Sequence, residues 1–226
     1  MPAVSERTVK LERIEPTSTR ILVVDVQNDF CATGGWFDRH GNDLTSIQEA
    51  VERLMRFLPT ARQAGVRPVF IRAIYDDIYL SDPMRERHKN LGFEPDSCQS
   101  GTWGADFFRV RPEEGELSVA KHRYSAFIDT ELNAYLRAQH VSNLIMCGVT
   151  SNVCVESTAR DAFMLDYHVV FLSDCAATYD PAAHEATLAN IRRAFGMVAS
   201  ADEVTAVWEA AGLVGAAGEV ADARGG

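Results

Sequence analysis

Three side chains in this sequence are of the right types to act together as a nucleophile, its base and its cation: Cys154, Asp25 and Lys121. Cys154 lies at the centre of residues 143–161, NLIMCGVTSNVCVESTARD. Leu144-Ile145-Met146-Cys147 is a short apolar run of the kind a buried parallel strand shows, Gly148 breaks it, and from Val153 the period turns helical. A strand, a tight turn and a helix in succession put Cys154 in the helix's first turn, where unpaired N–H groups and the positive dipole end favour a thiolate over a thiol. The competing reading of this residue is a buried cysteine serving as a small hydrophobe.

Asp25 closes ILVVD, residues 21–25. Four apolar residues ending in an acid mark a central parallel strand whose C-terminal tip aims a carboxylate into the crevice where α/β proteins bind ligands. A capping or turn aspartate is the plainer alternative. ELSVA, residues 116–120, is a short strand that leaves Lys121 at its tip; its alternative is a solvated rim lysine. In a parallel sheet all three residues face one side. A cysteine is only a few per cent thiolate near neutral pH, so it needs a base for its proton and a cation for the charge left behind. Asp25 supplies the base, and Lys121 keeps Asp25 ionised in a closed site and then steadies the thiolate. The turn Gly148-Val149-Thr150-Ser151 offers the backbone N–H groups of Thr150 and Cys154 to an oxyanion. Such a set hydrolyses amide-like bonds.

The elements that must hold these residues alternate along the chain. After the Asp25 strand, a loop over 28–42 gathers Phe30, Trp36 and Phe37 beside a strand tip, where aromatics line a pocket or pack under a partner. Residues 44–64 carry a helical apolar stripe (Ile47, Val51, Leu54, Leu58, Ala61), with Pro59 marking a kink or a split. RPVFIRA at 67–73 is the second strand and completes a right-handed βαβ unit. From 75 to 119 Gly and Pro punctuate irregular chain with a short helix near 82–89, and a stretch of that length in a compact domain reads as functional. Helices follow over 130–138, from Val153 to about Tyr167, over 181–195 and over 201–211. Between them lie a strand ending at Asp174, read as structural, and a short edge strand at 197–198. The fold class expected is α/β: a three-layer, doubly wound, mostly parallel sheet with helices on both faces. Residues 1–18 read as a polar lead-in, 19–211 as a single domain and 212–226 as a Gly/Ala-rich tail that frays.

Composition narrows the substrate. A chain of 226 residues with 46% hydrophobic and 24% charged residues suits one soluble α/β domain. Net charge is −10, with no Lys/Arg cluster to track phosphates, which argues against nucleic acid and anionic membranes and for a small-molecule substrate. No secretory signal or membrane-spanning run is present, so a cytoplasmic location is expected. The five cysteines (Cys31, Cys98, Cys147, Cys154 and Cys175) are odd in number and form no C-x-x-C pair, against a disulfide framework or a zinc site. The histidines show no metal-ligand spacing; His122 is the nearest to the site and reads as packing.

ILVVDVQNDF, KHRYSAF and CGVTSNVCVESTARDA, in that order, resemble the isochorismatase-like superfamily of cysteine hydrolases, in which an Asp–Lys–Cys triad hydrolyses C–N bonds. The resemblance spans about residues 19–200. It implies that fold, with Asp25 as general base and proton shuttle, Lys121 as the lysine, Cys154 as the nucleophile and a cis peptide at Val149–Thr150. Isochorismatases proper lack the cysteine and cleave an enol ether, so the retained thiol points to amide or ureide hydrolysis. Nicotinamidases carry a D-x-H and a further histidine that bind a metal; the corresponding RAIYDDIYLSD has no histidine, which implies no metal and no cofactor.

Within the family, NDFCATGGWFD, KHRYSAF and CGVTSNVCVEST are most similar to the ureidoacrylate, biuret and N-carbamoyl amidohydrolase branch, which releases ammonia. Asn28, Phe30, Trp36, Trp103, Arg123, Tyr124 and Phe127 are the candidates for the pocket wall, with Arg123 set to pair with a substrate carboxylate. Their alternatives are core packing and a surface salt bridge. Cys31 is a further wall candidate, though packing is its simpler reading. The resemblance also implies a homodimer or homotetramer. Three competing functions stand beside this one: hydrolysis of another small carboxamide, a thiol redox module with Cys31 or Cys175 resolving a Cys154 disulfide, and a catalytically silent binding protein of the same fold, against which the intact triad speaks.

Overall fold

The computed structural model describes residues 11, 14–90, 92 and 97–215. Much of the lead-in expected over 1–18 and of the tail over 212–226 lies outside the described residues. Six strands form one sheet: β1 (Thr19–Val24), β2 (Arg67–Ala73), β3 (Leu117–Lys121), β4 (Asn143–Val149), β5 (His168–Ala177) and β6 (Met197–Ala199). Their order is β3-β2-β1-β4-β5-β6, with every pairing parallel. Chain order reverses between β1 and β4, so the loops leaving these two strands diverge and open a crevice at their C-terminal ends. Asp25 and Cys154 follow those two strands.

Alternation along the strands sorts side chains into two apolar layers. Ile21, Val23, Phe70, Ile145 and Leu172 pack on one face against Ile47, Leu54 and Trp208 of the helices α3 (Thr45–Gln63) and α8 (Ala201–Ala210). Leu22, Val24, Ile71, Met146 and Phe171 pack on the other against Leu132, Ala159 and Leu188 of α5 (Leu132–Ala138), α6 (Glu156–Met164) and α7 (Pro181–Asn190). The molecule is a three-layer α/β/α sandwich. Short helices α1 (Asn28–Cys31) and α2 (Trp36–Arg39), together with α4 (Asp82–Asn90), lie in the connections at the C-terminal end of the sheet.

Several local expectations are corrected. Pro59 neither splits nor ends α3, which runs on to Gln63, because a helix tolerates one lost backbone bond when its apolar stripe is buried along its length. Gly148 does not end its strand: β4 continues to Val149 through a register shift against β5. The strand expected to stop at Asp174 extends to Ala177. The helix expected from Val153 begins as a π-helical turn, Ser151–Val155, before α6. That over 181–195 finishes as a second π-helical segment, Ile191–Phe195.

Candidate active site

At the end of β1 the chain enters the left-handed region at Asp25 (φ 53°), a conformation that short polar side chains tolerate, while the Asp25 N–H still donates to the Ile71 carbonyl at 2.9 Å. Gln27, fully buried, then locks the turn to β2: its amide donates to Ala73 O (3.0 Å) and Ala105 O (2.9 Å) and accepts from Ala73 N–H (2.8 Å). Lys121 is the last residue of β3, in register with Ala73. β4 delivers the third residue. Gly148 (φ 111°) lies so close to β1 that a Cβ there would meet the Val24 carbonyl oxygen at 2.0 Å, which only glycine avoids. The Val149–Thr150 peptide is cis, and the π-helical turn follows with Cys154 inside it.

These elements bring Asp25, Lys121 and Cys154 together. The Lys121 ammonium Nζ lies 2.7 Å from Asp25 Oδ2 and 3.4 Å from Cys154 Sγ, and donates to the Arg123 carbonyl at 3.0 Å. Asp25 and Lys121 are wholly buried and Cys154 is 7% exposed. Burial raises the Asp25 carboxyl above the usual range, despite the opposing pull of Lys121. Burial pulls Lys121 down, but Asp25 and Cys154 outweigh it and hold the ammonium more firmly protonated than usual. The Cys154 thiol is pushed up to about 12, chiefly by burial, with Lys121 opposing. The expected helix-dipole activation is thus corrected: the turn is π-helical, and desolvation exceeds any stabilisation of the thiolate. Losing the thiol proton to water would leave a net charge in a dry site. Passing it to Asp25 would not, because carboxylate, ammonium and thiol carry the same net charge as carboxyl, ammonium and thiolate.

A cavity of about 240 Å3 opens onto Asp25 and Cys154, with Val149 and Thr150 on its wall. Of the side chains expected around the substrate, Phe30 and Tyr124 line it. The others stand outside its lining. Asn28 donates to Trp103 O (2.7 Å), the buried Trp36 stacks under the exposed His40, and Trp103 is 53% exposed on a separate turn. Arg123 donates to Tyr79 O (3.0 Å) and His122 O (2.7 Å), and Phe127 stacks on Tyr167. His122 stacks on Tyr79, and Asp174 accepts from the Ala201 N–H (2.9 Å) at the start of α8. Cys31 and Cys175 belong to the apolar layer on the opposite face of the sheet from Cys154, and all five cysteines are free.

Phe37, one of the aromatics expected from the loop over 28–42, also lines the cavity; sequence reasoning missed Tyr75, Arg87, His88, Asn152 and Tyr179, which complete the lining with Val153. Tyr75 is buried close to Cys154, and burial raises its hydroxyl well above the ordinary value. Arg87, on α4, hydrogen-bonds Tyr124 at the cavity mouth and makes no ion pair among the described residues. The helical period near 82–89 located its element, but nothing local showed that it folds over the pocket. Among the described residues no group of three or more His, Cys, Asp or Glu side chains is placed to hold a metal ion, and no helix is long and apolar enough to cross a membrane.

Comparison with known proteins adds an independent line. Residues 19–203 match the isochorismatase domain. The ureidoacrylate amidohydrolase RutB of Methylobacterium radiotolerans is 33% identical to this chain, over 94% of this chain and 86% of its own length. RutB of Agrobacterium fabrum is 31% identical, over 86% and 91%. Among solved structures, a cysteine hydrolase from Pseudomonas syringae pv. phaseolicola superposes with a TM-score of 0.77 at 29% identity, covering 87% of this chain and 94% of the other. N-carbamoylsarcosine amidase from Thermoplasma acidophilum gives 0.65 at 25% identity, covering 82% and 97%.

Proposed function

The chain belongs to the isochorismatase family, and on that premise we propose that it is a cysteine-dependent amidohydrolase that cleaves a C–N bond of a small ureide or N-carbamoyl compound and releases ammonia. It is a hydrolase of amide or related C–N bonds by kinship; the finer reading rests on one observation. A lysine ammonium lies 2.7 Å from a buried carboxylate and 3.4 Å from a thiol that faces a cavity of about 240 Å3, room for a small molecule only.

In this mechanism Asp25 takes the Cys154 proton as the thiolate attacks the substrate carbonyl, while Lys121 keeps the charge of the assembly constant. The oxyanion is held by the Thr150 and Cys154 N–H groups. The C–N bond breaks as Asp25 hands its proton to the departing ammonia, leaving a thioester or, from a ureide, a thiocarbamate. Asp25 then takes a proton from water as the water attacks the carbonyl carbon, and returns it to sulfur as the C–S bond breaks, restoring carboxylate and thiol. Arg87 at the mouth supplies the cation for a substrate carboxylate, the part that sequence gave to Arg123.

The test is ammonia release from a panel of ureides, N-carbamoyl amino acids and plain carboxamides, run beside Cys154→Ala. Turnover of a ureide that falls by ~10^4-fold or more in the variant supports the proposal. Turnover confined to carboxamides would move the substrate class while keeping the nucleophile. Residual activity near wild type in Cys154→Ala would remove the nucleophile.

A further inference from the structure

The turn that carries Cys154 is gripped from outside the triad. Ser151, its first residue, is wholly buried, and its hydroxyl lies 3.0 Å from Nδ1 of His184 on α7. The other ring nitrogen, Nε2, lies 3.1 Å from the Ser173 carbonyl of β5. A carbonyl only accepts, so Nε2 carries the proton; in the neutral ring Nδ1 is then an acceptor, and the Ser151 hydroxyl donates to it. Ser151 is also held through its backbone, because its carbonyl accepts the π-helical bond from the Glu156 N–H. The same helix holds the far end of the turn: Thr187 and Asn190 donate to the buried Glu156 carboxylate at 2.6 and 3.2 Å. His184, Thr187 and Asn190 recur at intervals of three, so one face of α7 spans the turn from Ser151 to Glu156.

We propose that His184 is a positioning residue for catalysis: by accepting from Ser151 it fixes the segment between Thr150 and Cys154, and with it the distance between the proposed oxyanion N–H groups and the nucleophilic sulfur. This rests on Cys154 being the nucleophile. A π-helical turn is a rare backbone form, found mostly as a single turn inside helices and frequently at functional sites, and contacts from outside the turn help to hold it in place. Loosening it displaces the groups that act on the transition state while leaving the cavity's aromatic walls intact. The loss falls on kcat and leaves KM near its original value.

The experiment compares His184→Ala, His184→Asn, His184→Gln, Ser151→Ala and the double variant His184→Ala/Ser151→Ala on whichever panel substrate turns over. Asn places its carbonyl near the Nδ1 position and restores only the contact to Ser151, whereas Gln places its amide near Nε2 and restores only the contact to Ser173. Expected are a kcat about tenfold lower in His184→Ala and in Ser151→Ala with KM within about twofold, a double variant no worse than either, and recovery with Asn but not with Gln. Recovery with Gln alone, additive losses, or a lowered melting temperature with unchanged kcat would overturn the proposal. Alkylation of Cys154 by iodoacetamide, read by mass spectrometry, needs no substrate and must sort the variants in the same way, Asn with wild type and Gln with Ala. A Cys154→Ala control that stays active would show instead that the underlying reading of the site had failed.

Discussion

β3 is five residues long and has an ion pair at each end. At its C-terminal end Lys121 meets Asp25 with neither side chain exposed, and burial raises the Asp25 carboxyl. Just before its N-terminal end Glu116 meets Arg62 in a two-pronged contact, 2.8 Å on each prong, with the arginine 20% exposed. Burial also pushes Glu116 upward, but the Arg62 guanidinium and the Glu113 N–H outweigh it and hold its carboxyl below the usual range. The two carboxylates therefore move in opposite directions. At the N-terminal end the Glu116 side chain is only 6% exposed, but the fork and the Glu113 N–H hold the anion and the proton is kept away; this contact fastens α3 to the sheet. At the C-terminal end one ammonium serves both the carboxylate and the thiol, the arrangement the proposed proton transfer uses. A buried ion pair contributes little to stability by itself. In the proposed mechanism its use is to keep a proton exchangeable without changing net charge.

Removing the cation at each end should separate these roles. Lys121→Met leaves Asp25 buried without its partner and Cys154 without a cation. Turnover should fall by ~10^3-fold or more, with a stability loss of about 3 kcal/mol. Arg62→Met should leave kcat/KM unchanged and cost about 1 kcal/mol. Melting curves and steady-state kinetics on both variants check this, and an active Lys121→Met protein would end the contrast. Two glycines extend it. Gly148→Ala drives a methyl into the Val24 carbonyl and should cost about 3 kcal/mol along with most of the activity, since Thr150 and Cys154 follow directly. Gly115→Ala, at the other end of the sheet, also has positive φ (80°), but its nearest neighbour is the Arg67 side chain at 3.8 Å, so about 1 kcal/mol and no change in kcat are expected.

The arginines at the two ends differ in the same sense. Arg62 is already bound by Glu113 and Glu116, whereas Arg87 has no ion pair among the described residues and faces the cavity. Arg87→Ala should raise KM for a carboxylate-bearing substrate by about tenfold and leave an uncharged analogue untouched. Equal effects on both substrates would remove Arg87 from recognition.

What sequence could reveal followed the same division. Apolar runs closed by a charged residue located β1 and β3, and the strand–turn–helix signal located Cys154, because period and local composition decide those features. The α/β layering followed from alternation of elements. The pocket wall followed only in part, at Phe30, Phe37 and Tyr124. Asn28, Trp36 and Phe127 are near the site in sequence, but their turns point them into packing. Tyr75 and Arg87 reach the cavity only because the segment after β2 is tied down by long-range contacts, such as Asp29 accepting from Cys98 N–H (2.7 Å) and Gln27 donating to Ala105 O. The π-helical turn was equally hidden, since its residues carry an ordinary helical pattern and its hold comes from α7, some thirty residues later in the chain.

The smallest expected effect tests the electrostatic half of the comparison directly. Because the folded-state pKa of Glu116 is lowered, its contribution to stability is fully present above the unfolded value, about 4.3, and is lost as pH falls through the folded value. Asp25 has the opposite sign: its raised pKa means that ionising it works against the folded state as pH climbs through that value. Glu116→Gln keeps the shape of the side chain and removes the charge. At pH 7 it should lower the melting temperature by about 3 °C, the equivalent of about 1 kcal/mol in a chain of this length once solvent screening is counted, with kcat unchanged. As the pH falls below the unfolded value and on through the folded one, the melting curves of Glu116→Gln and wild type should converge, because the wild-type carboxyl then takes up its proton. A gap that persists or widens in acid would mean that the Arg62 fork does not hold the Glu116 proton off, and the two ends of β3 would no longer differ in kind.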